Sequence, residues 1–275
     1  MRRSAQKPKG EKEARQVEAI EERSTPPTPV IYEIVRRYGE DEMARPAASL
    51  WWSGLAAGLS ISFSLFAEAI LRLHLPDAEW RPLVVALGYP LGFLMVVLAR
   101  QQLFTENTIT VVLPIIARPT ARNFRSGGRM WGIVLAANLT GTLAAALFIT
   151  FTPVVDDALR EAMLAISRAA LAHSWLEHAL RGITAGFLMA AMVWLLPASE
   201  SAQFYVIVAM TWLIAVSGSA HIVAGSVGAF LLFANGQLGT GPMLGGFLLP
   251  VLAGNVVGGT VLFAMISYAQ VMKEI

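Results

Sequence analysis

Hydrophobic residues make up 55% of this 275-residue chain and charged residues 15%, with a net charge of +2. Several apolar runs exceed the roughly 18–20 residues that cross a bilayer, which excludes soluble-domain reasoning and makes this a polytopic helical membrane protein. The absence of cysteine excludes disulfides, thiol catalysis and cysteine metal sites, and nothing in the basic residues supports nucleic-acid binding.

The amino-terminal segment 1–29 is rich in Lys, Arg, Glu, Gln and Pro and ends in Thr25-Pro-Pro-Thr-Pro29. Its low hydrophobicity and prolines predict a disordered cytoplasmic tail, and it lacks the apolar core of a signal peptide. Residues 30–48 carry Val30, Ile31, Ile34, Val35 and Tyr38 on one helical stripe opposite Glu33, Arg36 and Arg37. That pattern predicts an amphipathic helix on the membrane surface or against a neighbouring subunit.

Residues 49–272 are expected to form the membrane domain, with six spans. The first runs from Ser49 to Leu71, anchored by Trp51 and Trp52 at the interface, with Glu68 four residues before Arg72 as a structural pair. The second runs from Leu83 to Ala99 and continues, after Arg100-Gln-Gln-Leu-Phe-Thr-Glu-Asn107, into Thr108–Ile116. Arg100 and Glu106 in that loop are read as pairing with each other or lying at the interface. The third span is Met130–Phe151, and an interfacial helix follows over 154–172. The fourth is Leu180–Leu196, the fifth Phe204–Phe233 with an interruption at Ser217–His221, and the sixth Met243–Tyr268. Arginines concentrate in the amino-terminal flank and in the loop after span two, which predicts cytoplasmic termini. An inner (plasma) membrane location follows as an expectation.

The halves echo each other. Gly54-Leu-Ala-Ala-Gly in span one is matched by Gly182-Ile-Thr-Ala-Gly in span four, and Asn138-Leu-Thr-Gly141 by Asn255-Val-Val-Gly258. Each pair flanks a broken apolar segment. Three spans per half reverse the entry side, so the expected fold is all-α, an aquaporin-like 3+3 inverted repeat with broken helices two and five.

Unwound backbone at membrane depth survives only where protein or a cavity satisfies it. Between Ser201 and Met272 the chain holds no Asp, Glu, Lys or Arg, so His221 is the one group there that titrates near neutrality. Thr105, in the other break, offers a hydroxyl that donates and accepts. The expected pore site is Thr105 with His221. Asn138 and Asn255 are expected to support the unwound backbone. Phe93, Phe104, Phe187 and Phe230 are the candidates for an apolar constriction, although most aromatic residues in such spans simply pack. His173 and Glu177 lie four apart, but no further ligand joins them, so neither metal nor cofactor is expected. His221 has no carboxylate or nucleophile near it in sequence, which argues against an enzyme.

Leu103-Phe-Thr-Glu-Asn107 with Thr108, His221 after a small-residue break, and the two Asn-x-x-Gly motifs together resemble the formate/nitrite transporter family over about Ile31 to Tyr268. The resemblance implies a homopentamer in the lipid bilayer, each protomer with its own pore for small monovalent anions. It implies that Thr105 and His221 are the central pore pair and that 101–107 is the gating loop, which brings Leu103, Phe104, Glu106 and Asn107 to the gate with Phe187 as a constriction residue. A bare anion pays heavily to enter a low-dielectric constriction and its neutral acid does not, so His221, polarised by Thr105, is expected to donate a proton or a strong hydrogen bond and to couple anion passage to protons. Glu106, Arg100, Gly186-Phe187 and Ile222-Val-Ala-Gly-Ser226 depart from the family's usual residues. An aquaporin-like pore for a neutral solute, or a structural or sensory protein with a vestigial pore, are the alternatives.

Overall fold

The computed structural model describes residues 26–199 and 201–275, and among these the chain is all helical. The expected tail lies largely outside the described residues. Helix α1 (Thr28–Ala44) starts two residues before the expected boundary, with Pro29 in its first turn, where no intrahelical N–H is needed. Its buried stripe is Ile31, Tyr32, Val35, Gly39 and Met43, while Val30 and Tyr38 are exposed. On the opposite side Arg36 and Arg37 both bond Glu33 at 2.7 Å. The hydrogen bonds from Arg36 hold the Glu33 carboxyl down at about 2.

α1 seats against the chain's own helices. Tyr32 stacks on Tyr268 with ring centroids 6.0 Å apart, and a Cβ at Gly39 would fall 1.7 Å from the Thr110 carbonyl oxygen. A Gly39→Val substitution is therefore expected to push α1 off its seat and cost about 2 kcal/mol or more, read as a lowered unfolding temperature in detergent. Wild-type stability in that variant would contradict this packing.

After Pro46 the chain enters α2 (Ala47–His74), followed by α3 (Arg81–Leu98), α4 (Phe104–Ala117) and α5 (Ala121–Phe151). Then come α6 (Asp157–Leu171), α7 (Trp175–Ala198), α8 (Gln203–Val216), α9 (Ile222–Ala234) and α10 (Pro242–Val271). Five of these, α2, α3, α5, α7 and α10, are long and apolar enough to cross a membrane. α4, α8 and α9 are apolar but shorter, at 10–17 residues each.

Several starts differ from expectation for one reason. The apolar run reports membrane depth, whereas capping chemistry sets the helix end. α5 begins at Ala121 rather than Met130, because Thr120 Oγ1 accepts from the Asn123 amide at 3.2 Å. α7 begins at Trp175 rather than Leu180, with Ser174 and Glu177 in a reciprocal capping box. Glu177 is thus a cap. Among the described residues no group of three or more His, Asp or Glu stands ready for a metal.

Two expected ion pairs do not form among the described residues. Glu68 turns into a cavity beside Tyr89, away from Arg72, whose side chain is exposed. Arg100 lies over the Tyr38 ring, 5.6 Å from its centroid, and leaves Glu106 without it. α6 buries Ala162, Met163, Leu164 and Ser167, and Ser167 sits so close to α9 that a Cβ at Gly228 would meet its hydroxyl at 2.8 Å. Its apolar face is therefore covered by protein. α10 contains two wide, π-helical stretches, Pro242–Leu248 and Val257–Ala264, the second carrying Gly258 and Gly259.

Candidate pore site

The site is built from two breaks in the helical backbone. The first separates α3 from α4 at residues 99–103, where Arg100 takes φ 54°. The second separates α8 from α9 at 217–221, where Gly218 takes φ 65°, a conformation that suits glycine.

Each break exposes backbone groups that an asparagine satisfies. Asn138 Oδ1 accepts from the Phe104 amide at 2.9 Å, and its Nδ2 donates to the Gly54 and Gln102 carbonyls at 2.8 Å each. Asn255 Oδ1 accepts from the Ile222 amide at 2.8 Å, and its Nδ2 donates to the Gly182 and Ala220 carbonyls, also at 2.8 Å. The two sets match bond for bond. Small residues let the carrier helices approach: a Cβ at Gly58 would lie 2.2 Å from the backbone carbonyl oxygen of Asn138, and one at Gly186 would lie 2.2 Å from that of Asn255.

These anchors bring residues from the ends of α4 and α9 into contact. Thr105 Oγ1 and His221 Nε2 lie 2.7 Å apart, with Thr105 fully buried and His221 only 2% exposed. His221 also caps α9, its Nδ1 accepting from the Ala224 amide at 3.1 Å. An Nδ1 that accepts carries no proton, so the neutral ring bears its proton on Nε2 and donates it to Thr105. The hydroxyl proton of Thr105 is then available to a third group. Phe93 meets the imidazole edge-on with centroids 5.1 Å apart and supplies an apolar wall.

One cavity reaches His221 of this pair, and a second ends at Glu106, the neighbour of Thr105. The first, of about 310 Å³, is lined by Ser64, Glu68, Tyr89, His173 and Arg181 among others. Arg181 Nη1 donates to the Gly218 carbonyl at 2.8 Å, which fixes a positive charge at the second break. The other cavity, of about 180 Å³, lies on the α1 side and reaches Glu106, with Tyr38, Asp41, Glu42, Arg100 and Gln101 on its walls.

The loop of the first break is tied to α1. Gln102 Nε2 donates to Glu42 Oε1 at 3.0 Å, Thr110 Oγ1 donates to Glu42 Oε2 at 2.9 Å, and Asn107 Nδ2 donates to Gln102 Oε1 at 3.3 Å. Burial pushes the Glu42 carboxyl up, against the pull of the bonds from Gln102 and Thr110. Leu103 is fully buried, and Phe104 packs its ring on Trp131 at 5.6 Å. Phe187 is 40% exposed, stacks on Phe263 at 5.1 Å and lines neither cavity. Phe93, rather than Phe187, is the aromatic ring on His221. Arg181, Glu42 and Gln102 enter the site through long-range contacts that carry no local signature in the sequence.

The family model described as Formate/nitrite transporter matches residues 29–269. The chain is 40% identical over 271 residues to the Inner membrane protein YfdC of Escherichia coli (strain K12), covering 98% of this chain and 86% of that protein. It is 28% identical over 243 residues to the Formate channel FocA of Haemophilus influenzae, covering 79% of this chain and 84% of that one. Its fold is similar to that of a solved pentameric formate channel with formate bound, at TM-score 0.70 and 20% identity, over 82% of this chain and 98% of that one.

Proposed function

Because the chain belongs to the formate/nitrite transporter family, we propose that it conducts small monovalent anions of weak acids through a pore centred on Thr105 and His221. The observation that carries this reading is the buried 2.7 Å contact between those two side chains, with one cavity reaching His221 and another reaching Glu106 beside Thr105. A channel or transporter, rather than an enzyme, is what this arrangement serves. The chain is an integral membrane protein, and YfdC, its relative, is an inner membrane protein by name.

The fold reading that goes with it is a 3+3 inverted repeat. In it α2, α3–α4 and α5 correspond to α7, α8–α9 and α10, and the matched Asn138 and Asn255 bonds support the correspondence. The arginine-rich flanks support cytoplasmic termini. A homopentamer with one pore per protomer follows from the likeness to the pentameric formate channel.

The chemistry follows from the cost of dehydration. An idealised ion of carboxylate size entering a low-dielectric constriction costs on the order of 20 kcal/mol, and several kcal/mol after relaxation. Arg181 draws an anion towards the second break. There the Thr105 hydroxyl, polarised by the His221 Nε2–H bond, replaces a lost water. Because Nδ1 is held by the Ala224 amide, releasing the Nε2 proton would leave an anionic ring. His221 therefore serves as a hydrogen-bond donor, and the proton that makes a weak acid neutral enters from solution. Passage as anion plus proton, in net neutral form, fits this arrangement.

Stopped-flow flux in proteoliposomes tests the reading. Formate and nitrite should equilibrate faster than acetate, and acetate faster than lactate, because the constriction beside Phe93 admits the smallest species first. Flux at the level of empty liposomes for every acid, with rapid glycerol entry instead, would overturn it.

A further inference from the structure

The chain places a carboxyl where an anion must pass. Glu106 adjoins Thr105 in the first turn of α4, and its side chain lines the α1-side cavity. Its Oε1 is sealed from solvent and has no hydrogen-bond partner, and the Gln101 Oε1 on the same wall is also unpartnered. The charged and titratable groups facing Glu106 are Tyr38, Asp41 and Glu42 from α1 and Arg100 from the loop. α7 and α8 contribute Val193, Leu196 and Gln203, none of them charged. Arg100, the only cation on these walls among the described residues, lies over the Tyr38 ring and is not paired with Glu106. Glu42, by contrast, is held by Gln102 and Thr110.

We infer that Glu106 is a proton-dependent selectivity group of the α1-side cavity. As the acid, its O–H donates to an oxygen of the arriving anion and carries it to the Thr105 hydroxyl. As the carboxylate, it repels that anion at close range, because Arg100 is turned onto the Tyr38 ring and is not paired with it. Anion and proton therefore occupy this cavity together, and entry is strong only when the solution on that side is acidic. The inference rests on the anion-pore reading above and names the group that links anion entry to a proton.

The test is formate flux in proteoliposomes at matched internal and external pH, for wild type, Glu106→Gln, Glu106→Ala and Glu106→Asp. Size-exclusion profiles check that each variant assembles as wild type does. Removing one close, weakly screened charge is expected to raise flux about tenfold over wild type at about pH 8 in the Gln variant, and the ratio should fall towards one at about pH 5. The Ala variant should lose the pH dependence as well, and the Asp variant should keep it. A purely structural role would lower flux at every pH, and that result, or wild-type curves in the Gln and Ala variants, would overturn the role of Glu106 while leaving the pore reading intact. Absence of flux for formate and nitrite in the wild type itself would overturn both.

Discussion

Replacing Asn138 by leucine is expected to lower the unfolding temperature sharply and to abolish flux. The substitution strands the Phe104 amide and the Gly54 and Gln102 carbonyls, all of which Asn138 now satisfies. Each buried polar group left unpaired costs about 1–3 kcal/mol, so the total reaches several kcal/mol, a large share of the stability of any single domain. At membrane depth no water rescues them. Asn138→Asp should fall between, since it keeps the acceptor for Phe104 and loses both donated bonds. The matching change, Asn255→Leu, should behave alike, because it frees the Ile222 amide and the Gly182 and Ala220 carbonyls. Thermal unfolding in detergent reads all three. Wild-type stability in Asn138→Leu would mean that the break is held by something other than this side chain.

Replacing His221 by phenylalanine is expected to act on flux instead. The ring volume is roughly kept, and α9 loses one cap bond, which costs about 1 kcal/mol. The Thr105 hydroxyl, however, loses its 2.7 Å partner while itself fully buried. A hydroxyl without the polarising Nε2–H is a poorer substitute for an anion's hydration. Formate flux should drop at least about tenfold, which corresponds to one lost hydrogen bond to a charged species of about 1.5–3 kcal/mol. Thr105→Val, nearly isosteric, should do the same, at a cost of about 1–3 kcal/mol in stability for the stranded Nε2–H of His221. Flux retained in either variant would contradict the assigned roles.

Thr105, His221, Asn138 and Asn255 were legible in the sequence because each breaks a local rule. A histidine alone in a run without charged residues, a polar loop inside an apolar segment and a recurring Asn-x-x-Gly are all costly in a bilayer unless the fold uses them. The structure brings the first two into contact and sets each asparagine on its own break. Other features were hidden because they depend on distant partners. Glu42 reads as one more charge on an amphipathic helix, yet it binds Gln102, 60 residues along the chain. Arg181 is the second residue of the expected span four, yet its side chain reaches Gly218 in the second break. Phe93 and Phe187 were both candidates for an apolar constriction, and spacing alone did not separate them: the fold sets Phe93 against His221 and directs Phe187 to Phe263. The pairings expected for Glu68 with Arg72 and Arg100 with Glu106 were reasonable by spacing. Cavity walls, set by tertiary packing, drew the carboxyls elsewhere.

The most direct test of the central claim, that Thr105 and His221 work as one unit on a passing anion, is a double-mutant cycle on formate flux. Wild type, Thr105→Val, His221→Phe and the double variant are compared in proteoliposomes at one pH and equal protein density. If the pair acts together through its shared hydrogen bond, the double variant should be no slower than the slower single variant. Losses that multiply in the double variant, or singles that conduct formate like wild type, would contradict a joint site.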